Sequence, residues 1–252
     1  MIDIHTHILP RLDDGAKDSR VSIELLKRLQ KQGVETVVAT PHYYGKRSTP
    51  EEFIKRRNAS YERIKPEIPE GMKVVLGVET HFTGMNVMEY DRLCMLAIEG
   101  TKYILLEFPF TSKWNVVSLK RSLSEFIRET GYTPIIAHAE RYREVQKNPS
   151  LINEFIEMGC LIQVNAPAFL NKREGKLAFA LLKHGFVHCI GTDTHDLDGR
   201  APRYLEAKEM VEKAGYSDAW KRAQENMKII LENGQVCVEN AKPIKKIFGK
   251  YL

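Results

Sequence analysis

None of the four cysteines, Cys94, Cys160, Cys189 and Cys237, stands in a CxxC pair, and none lies close to another in the chain. A disulfide framework and a cysteine-based zinc site are therefore not expected, and buried free thiols in a reducing compartment are. No apolar run approaches the length of a membrane span, and the N-terminus carries no charged-then-apolar leader. These absences predict a cytoplasmic protein that does not insert into membranes. Like charges form no long run: 38 Lys and Arg against 33 Asp and Glu leave a scattered net charge of +5. A scattered basic excess is ordinarily solvated surface, so nucleic-acid binding is not expected. There is no internal repeat, no low-complexity segment and no linker able to split the chain. One domain over residues 1–252 is predicted, with the residues from about 235 onward as a C-terminal extension.

Two catalytic signatures are also missing. Gly175-Lys176 has neither the preceding glycine nor the strand of a phosphate-binding Walker loop. His188-Cys189 resembles the start of a cysteine-phosphatase loop, but the position six residues on is His195 rather than arginine. Cys189 lies in an apolar run and is expected to be buried and inert.

What is present is alternation. Apolar runs at 1–5, 36–42, 73–79, 103–108, 134–140, 160–166 and 187–193 are short and rich in Val, Ile or Leu. Near-continuous apolar character of this length fits parallel strands covered on both sides. Between the runs lie amphipathic stretches. Val21, Leu25 and Leu29 recur at four-residue spacing before Gly33, and Thr49-Pro50-Glu51-Glu52 carries an N-cap, a first-turn proline and first-turn acids. Leu119, Leu123, Phe126 and Ile127 form a stripe ended by Gly131, and Trp220, Ala223, Met227 and Ile230 share a face in 218–232. Segments near 149–158, 173–184 and 202–214 follow the same pattern. Seven strand–helix units in 252 residues predict an α/β protein, a TIM-like barrel with one unit missing in preference to an open sheet. The loop at 85–100, with Met85, Met88, Cys94 and Met95, is expected to be a packed excursion.

Parallel barrels carry their chemistry at the carboxyl ends of the strands. Here six of the seven runs end in metal-ligand residues: His5 and His7, with Asp13-Asp14 just beyond, then His42, Glu79, Glu107, His138, and Asp193 with His195. Only the run ending at Asn165 offers no strong ligand. His5, His7, Asp14, His42, Glu79, Glu107, His138, Asp193 and His195 make nine donors, where one zinc ion takes about four. Two or three divalent ions are therefore expected, and the mixed N/O donor set admits Mn, Fe, Zn, Co or Mg. Asp13 stands beside Asp14 as an alternative ligand, and His81 is expected to be a loop histidine.

DIHTH, TPH, the strand-end Glu79 and Glu107, AHAER and GTDTH together resemble the PHP (polymerase and histidinol phosphatase) superfamily. Within it MIDIHTHILPRLDDG, ATPHYY, ILLEF, AHAERY and THDLDGR closely resemble the CpsB/CapC protein-tyrosine phosphatases of bacterial capsule and exopolysaccharide synthesis, over residues 1 to about 235. The resemblance implies a distorted (β/α)7 barrel of the PHP type. It implies one ion on His5, His7, Glu79 and Asp193, a second on Glu79, Glu107 and His138, and a third on Asp14, His42 and His195, with manganese the foremost metal. It implies Arg141 and Arg200 as phosphate-binding residues, and a bacterial tyrosine-kinase tail as the phosphotyrosine substrate. In such a site a metal-bound hydroxide attacks phosphorus in line, and guanidiniums neutralise the phosphoryl oxygens. The alternatives are a PHP enzyme for a small phosphate monoester such as histidinol phosphate, and a metal-dependent nuclease.

Overall fold

The apolar runs become strands of a curled parallel sheet, and the amphipathic stretches become helices. The computed structural model describes residues 1–83, 90–110, 113–238, 243–247 and 250–251. Its strands are β1 (Ile2–Thr6), β2 (Thr36–Ala39), β3 (His42–Tyr43), β4 (Lys73–Leu76), β5 (Glu79–His81), β6 (Tyr103–Glu107), β7 (Thr133–Ile136), β8 (Leu161–Asn165) and β9 (Cys189–Gly191). Every residue of β1, β6, β8 and β9 is buried, as the unbroken apolar runs require.

Two runs, 36–42 and 73–79, are each broken into a pair of short strands rather than one long one. Pro41 has no N–H to give to a neighbouring strand. Opposite it, Gly77 fits tightly: a Cβ there would lie 3.0 Å from Val38 Cγ1. Backbone pairing nevertheless carries across both breaks, with Gly77 N–H donating to Ala39 O at 2.8 Å and Glu79 N–H to Pro41 O at 3.1 Å. Pairing runs β1-β2-β4 and β3-β5-β6-β7-β8-β9, all parallel. Beyond β9, Asp193 N–H donates to His5 O at 2.8 Å and His7 N–H to Thr194 O at 2.9 Å, which brings the last run alongside the first. The result is a curled parallel sheet of the distorted-barrel kind that the family resemblance implies, with its breaks on the side that carries His42 and Glu79.

The helices are α1 (Ser19–Lys31), α2 (Pro50–Ile64), α3 (Tyr90–Cys94), α4 (Val116–Thr130), α5 (Arg143–Lys147), α6 (Leu151–Glu157), α7 (Gly175–Lys183), α8 (Tyr204–Lys213) and α9 (Ser217–Leu231). Their ends follow local chemistry. Asp18 caps α1 by accepting from Val21 N–H, Thr49 and Glu52 form a capping box at α2, and Gly131 ends α4 at φ 68°. The apolar stripes face inward: Leu25 and Leu29 of α1, Leu123 and Phe126 of α4, and Trp220, Met227 and Ile230 of α9 are buried. In the 85–100 loop, Leu93, Leu96, Ala97 and Ile98 are buried while Met95 is exposed; Met85 and Met88 lie outside the described residues. An antiparallel pair, β10 (Lys246–Ile247) and β11 (Lys250–Tyr251), packs back on the barrel: Lys246 Nζ donates to Gln146 O at 2.6 Å and Tyr251 Oη to the same oxygen at 3.2 Å. Among the described residues no helix is long and apolar enough to cross a membrane.

His188 ties β8 to the start of β9. Its Nδ1 accepts from Ile162 N–H at 3.0 Å, so the buried ring must stay neutral, and burial pulls its pKa from 6.5 down to about 4. The unfolded chain binds the proton first as pH falls. Stability should therefore drop between about pH 6.5 and about pH 4, by at most roughly 3 kcal/mol from this group. Thermal denaturation of wild type and His188→Gln across that range should show a smaller acid loss in the variant; parallel losses would remove His188 as a cause.

Candidate active site

The strand ends bring the nine donors into one cluster. His5 in β1 and His7 just past its end, two residues apart, are fully buried with their Nε2 atoms 3.1 Å apart. Glu79 Oε2 lies 3.2 Å from each Nε2, and Asp193 Oδ1 lies 3.6 Å from His5 and 3.4 Å from His7. Beside them His42 Nδ1 is 2.9 Å from Glu79 Oε2 and 3.7 Å from Glu107 Oε2. His138 Nε2 is 2.8 Å from Glu79 Oε1 and 3.6 Å from Glu107 Oε1. On the outer side Asp14 Oδ1 is 3.5 Å from His42 Nε2 and 3.4 Å from His195 Nε2. Glu79 thus lies against four histidines at the centre of the cluster, and Asp14 reaches it from a half-exposed turn.

Asp13 has a different place. It accepts from His7 Nδ1 at 2.7 Å, from His42 N–H at 2.9 Å and from Gly15 N–H at 2.9 Å. Those bonds fix His7 with its proton on Nδ1, so that Nε2 faces the cluster. Gly15 is required by the same turn, since a Cβ there would stand 2.2 Å from His7 O. His195 is set likewise, its Nδ1 2.9 Å from the Asp193 carbonyl. Two donors of the cluster sit in the left-handed region, His138 at φ 32° and Asp193 at φ 54°. Conformations of this kind cost of order 1–3 kcal/mol and gather at functional sites.

β8 supplies no donor to the cluster but anchors three of its residues. Gln163 Oε1 accepts from His138 N–H at 2.7 Å and faces His5 Nδ1 at 3.2 Å, and its Nε2 donates to Asn165 Oδ1 at 2.9 Å. Asn165 Nδ2 in turn donates to Asp193 Oδ2 at 2.9 Å. In the sequence Asn165 offers no strong ligand and Gln163 is not singled out. The available signal was the two-residue spacing of polar side chains within an otherwise apolar strand. His81 is not a loop histidine: it ends β5, and its Nδ1 lies 3.4 Å from Glu107 Oε2 at the edge of the cluster.

The charges are set for cations. Burial would raise the Glu79 carboxyl, but His5 and His42 outweigh it and hold the group well below the usual range. Asp193 is held low against burial by His5 and His7. Burial works against a proton on His138, yet its hydrogen bonds to Glu107 and Glu79 push its pKa up to about 9. Protons on histidine therefore balance the carboxylates in the protein alone, and a divalent ion can take over that role with release of the protons. The residues fit such an ion. His42 Nδ1, Glu79 Oε2 and His195 Nε2 are buried without a well-formed hydrogen bond, and an orphaned buried polar atom costs about 1–3 kcal/mol. Three groups of donors lie within ion-binding reach of one another: His5, His7 and Asp193; His42, Glu79 and Glu107; and His7, Asp14, His42 and His195.

Arg141 and Arg200 stand at the rim and clasp Asp193 from two sides, Arg141 Nη1 at 3.0 Å from Oδ2 and Arg200 Nη2 at 2.7 Å from Oδ1. Arg200 Nη1 also lies 3.5 Å from Asp14 Oδ2. Both guanidiniums line a cavity of about 380 Å³ that also holds Asn171, Glu174 and Arg203. Cys189 is fully buried, and burial raises its thiol pKa far above the reactive range.

The chain matches the family described as capsular polysaccharide synthesis, CpsB/CapC, over residues 1–236. The tyrosine-protein phosphatase YwqE of Bacillus subtilis is 33% identical over 257 residues, spanning 99% of each chain. The tyrosine-protein phosphatase CpsB of Streptococcus pneumoniae is 32% identical over 222 residues, 84% of this chain and 90% of the relative. A crystal structure from the pair YwqE and CpsB, metal-dependent tyrosine phosphatases, superposes with a TM-score of 0.82 at 32% identity, covering 97% of this chain and 100% of that one. The histidinol phosphate phosphatase of Lactococcus lactis shares the fold at a TM-score of 0.53 and 14% identity, over 85% of this chain and 94% of its own.

Proposed function

The chain belongs to the CpsB/CapC family of capsular polysaccharide synthesis, and from that premise we propose that it is a metal-dependent protein-tyrosine phosphatase. The observation that carries this reading is the buried cluster of nitrogen and oxygen donors around Glu79 with two guanidiniums at its rim. A purely structural metal site is closed by about four ligands and has no use for an anion-binding rim. The proposed substrate is a phosphotyrosine protein, the tail of a bacterial tyrosine kinase of capsule or exopolysaccharide synthesis, and the proposed compartment is the cytoplasm. Residues 1–252 are read as one catalytic domain with an extension from about 235.

In the proposed assignment His5, His7, Glu79 and Asp193 hold one ion, Glu79, Glu107 and His138 a second, and Asp14, His42 and His195 a third, with manganese the first choice of metal. Bound there, divalent ions supply an acidified water as nucleophile and positive charge for the phosphoryl oxygens. Asp13, Gln163 and the Asp193 carbonyl orient the ligand imidazoles, and Asn165 orients the Asp193 carboxylate. Arg141 and Arg200 present planar forks that can each take two phosphoryl oxygens. Phenolate, with a pKa of about 10, leaves without a strong general acid, so none need be sought among the side chains.

The test is hydrolysis of a phosphotyrosine peptide, a phosphoserine peptide and histidinol phosphate by chelator-stripped protein, with and without added manganese. Metal-restored turnover that strongly favours phosphotyrosine is expected. A preference for histidinol phosphate would move the protein to the small-molecule branch of the fold. No turnover of any of the three, with metal bound, would overturn the phosphatase reading.

A further inference from the structure

Phe110 is one of few large apolar side chains exposed among the described residues, at 38% exposure, and it touches the site. Its ring centre lies 5.0 Å from that of His138 and 5.0 Å from that of buried Tyr142, stacked at 25°. The Arg141 guanidinium carbon is 4.9 Å from the same ring centre. Phe110 is thus held by residues of the turn after β7, yet over a third of it stays open beside the site, on the Arg141 side; across the cluster Tyr44 packs on His42 and His81, each with ring centres 5.4 Å apart. Covering apolar surface is favourable, so the open part of the ring is where an apolar portion of a ligand gains.

The consequence for the reaction rests on the phosphatase reading above. His5, His7 and Glu79 are fully buried, whereas Arg141 and Phe110 are partly open. A phosphate ester can therefore send its phosphoryl group inward while its organic part stays at the rim. Because Arg141 touches Phe110, a phosphoryl group gripped by Arg141 brings the first atoms of the leaving group to that ring. A phenyl group gains ring–ring contact there; the short alkyl carbon of a serine phosphate does not. We propose that Phe110 is a specificity-determining residue that favours aryl over alkyl phosphate esters by lining the leaving-group side of the site.

Calorimetric titration of manganese-loaded wild type, Phe110→Leu and Phe110→Tyr with phenylphosphonate and methylphosphonate tests this without turnover. Wild type should prefer phenylphosphonate. Phe110→Leu should weaken phenylphosphonate about five-fold, the scale of one aromatic contact, and move methylphosphonate less than about two-fold, while Phe110→Tyr restores the wild-type values. Equal weakening of both ligands would show Phe110 acting only through Arg141 and would overturn the proposal. So would an unchanged phenylphosphonate affinity, or a wild type without preference. Lack of phosphotyrosine turnover by the metal-loaded wild type would instead overturn the phosphatase reading, whatever the phosphonates show.

Discussion

Asp193→Asn is expected to lose bound metal and turnover while keeping the fold. The carboxylate faces His5, His7 and His195 through Oδ1 at 3.6, 3.4 and 3.6 Å, and it accepts from Arg200, Arg141 and Asn165. Burial alone would raise its pKa, but His5 and His7 hold it well below the usual range, so it is ionised at neutral pH. Asparagine keeps the shape and tolerates the left-handed φ of 54°. What it removes is a full negative charge at the point where His5, His7 and His195 meet. Loss of an outer-shell partner lowers metal affinity or activity about 10–100-fold; loss of a direct donor should exceed that, with turnover down more than about 100-fold. Metal analysis after desalting, turnover and circular dichroism on one preparation check it. A variant with full metal content and near-normal turnover would take Asp193 out of the site.

Most of the candidate donors are legible in the sequence because they stand at or just beyond the end of an apolar run, and a parallel barrel collects such ends on one face; Asp14, in the turn after the first run, is the exception. The partners that hold them were harder to read. Asp13 and Asp14 are neighbours in a turn, and only the path of that turn sends Asp14 to His42 and His195 while Asp13 is filled by the N–H groups of His7, His42 and Gly15. Gln163 and Asn165 carry no charge and show their purpose only when β8 is laid beside β7 and β9. The break at Pro41 could be read from proline's missing donor. That Gly77 has little room for a side chain, with Val38 and Thr40 where a Cβ would go, is a tertiary fact. Phe110 has no pattern at all in the chain; its place follows from the turn that brings Arg141 and Tyr142 against it.

Arg141→Ala is expected to separate metal binding from turnover. The Asp193 carboxylate loses one of its donors in this variant but keeps Arg200 at 2.7 Å and Asn165 at 2.9 Å, so the ligand should stay oriented and the metal content unchanged. The side chain is about a third exposed and reaches Asp193 and Phe110 at the rim of the site, which argues against unfolding. What goes is a fixed positive fork at the rim of the proposed phosphoryl site. Removing one such preorganised donor lowers turnover about 10²–10³-fold, and inhibition by inorganic phosphate should weaken in parallel. Arg141→Lys should fall between the two, since it keeps the charge but not the planar pair of donors, and its ammonium has no flat face to lay on Phe110. Normal turnover in a metal-replete Arg141→Ala protein would leave phosphate recognition to Arg200 and the ions alone, and would withdraw the link between Arg141 and Phe110 on which the aryl preference depends.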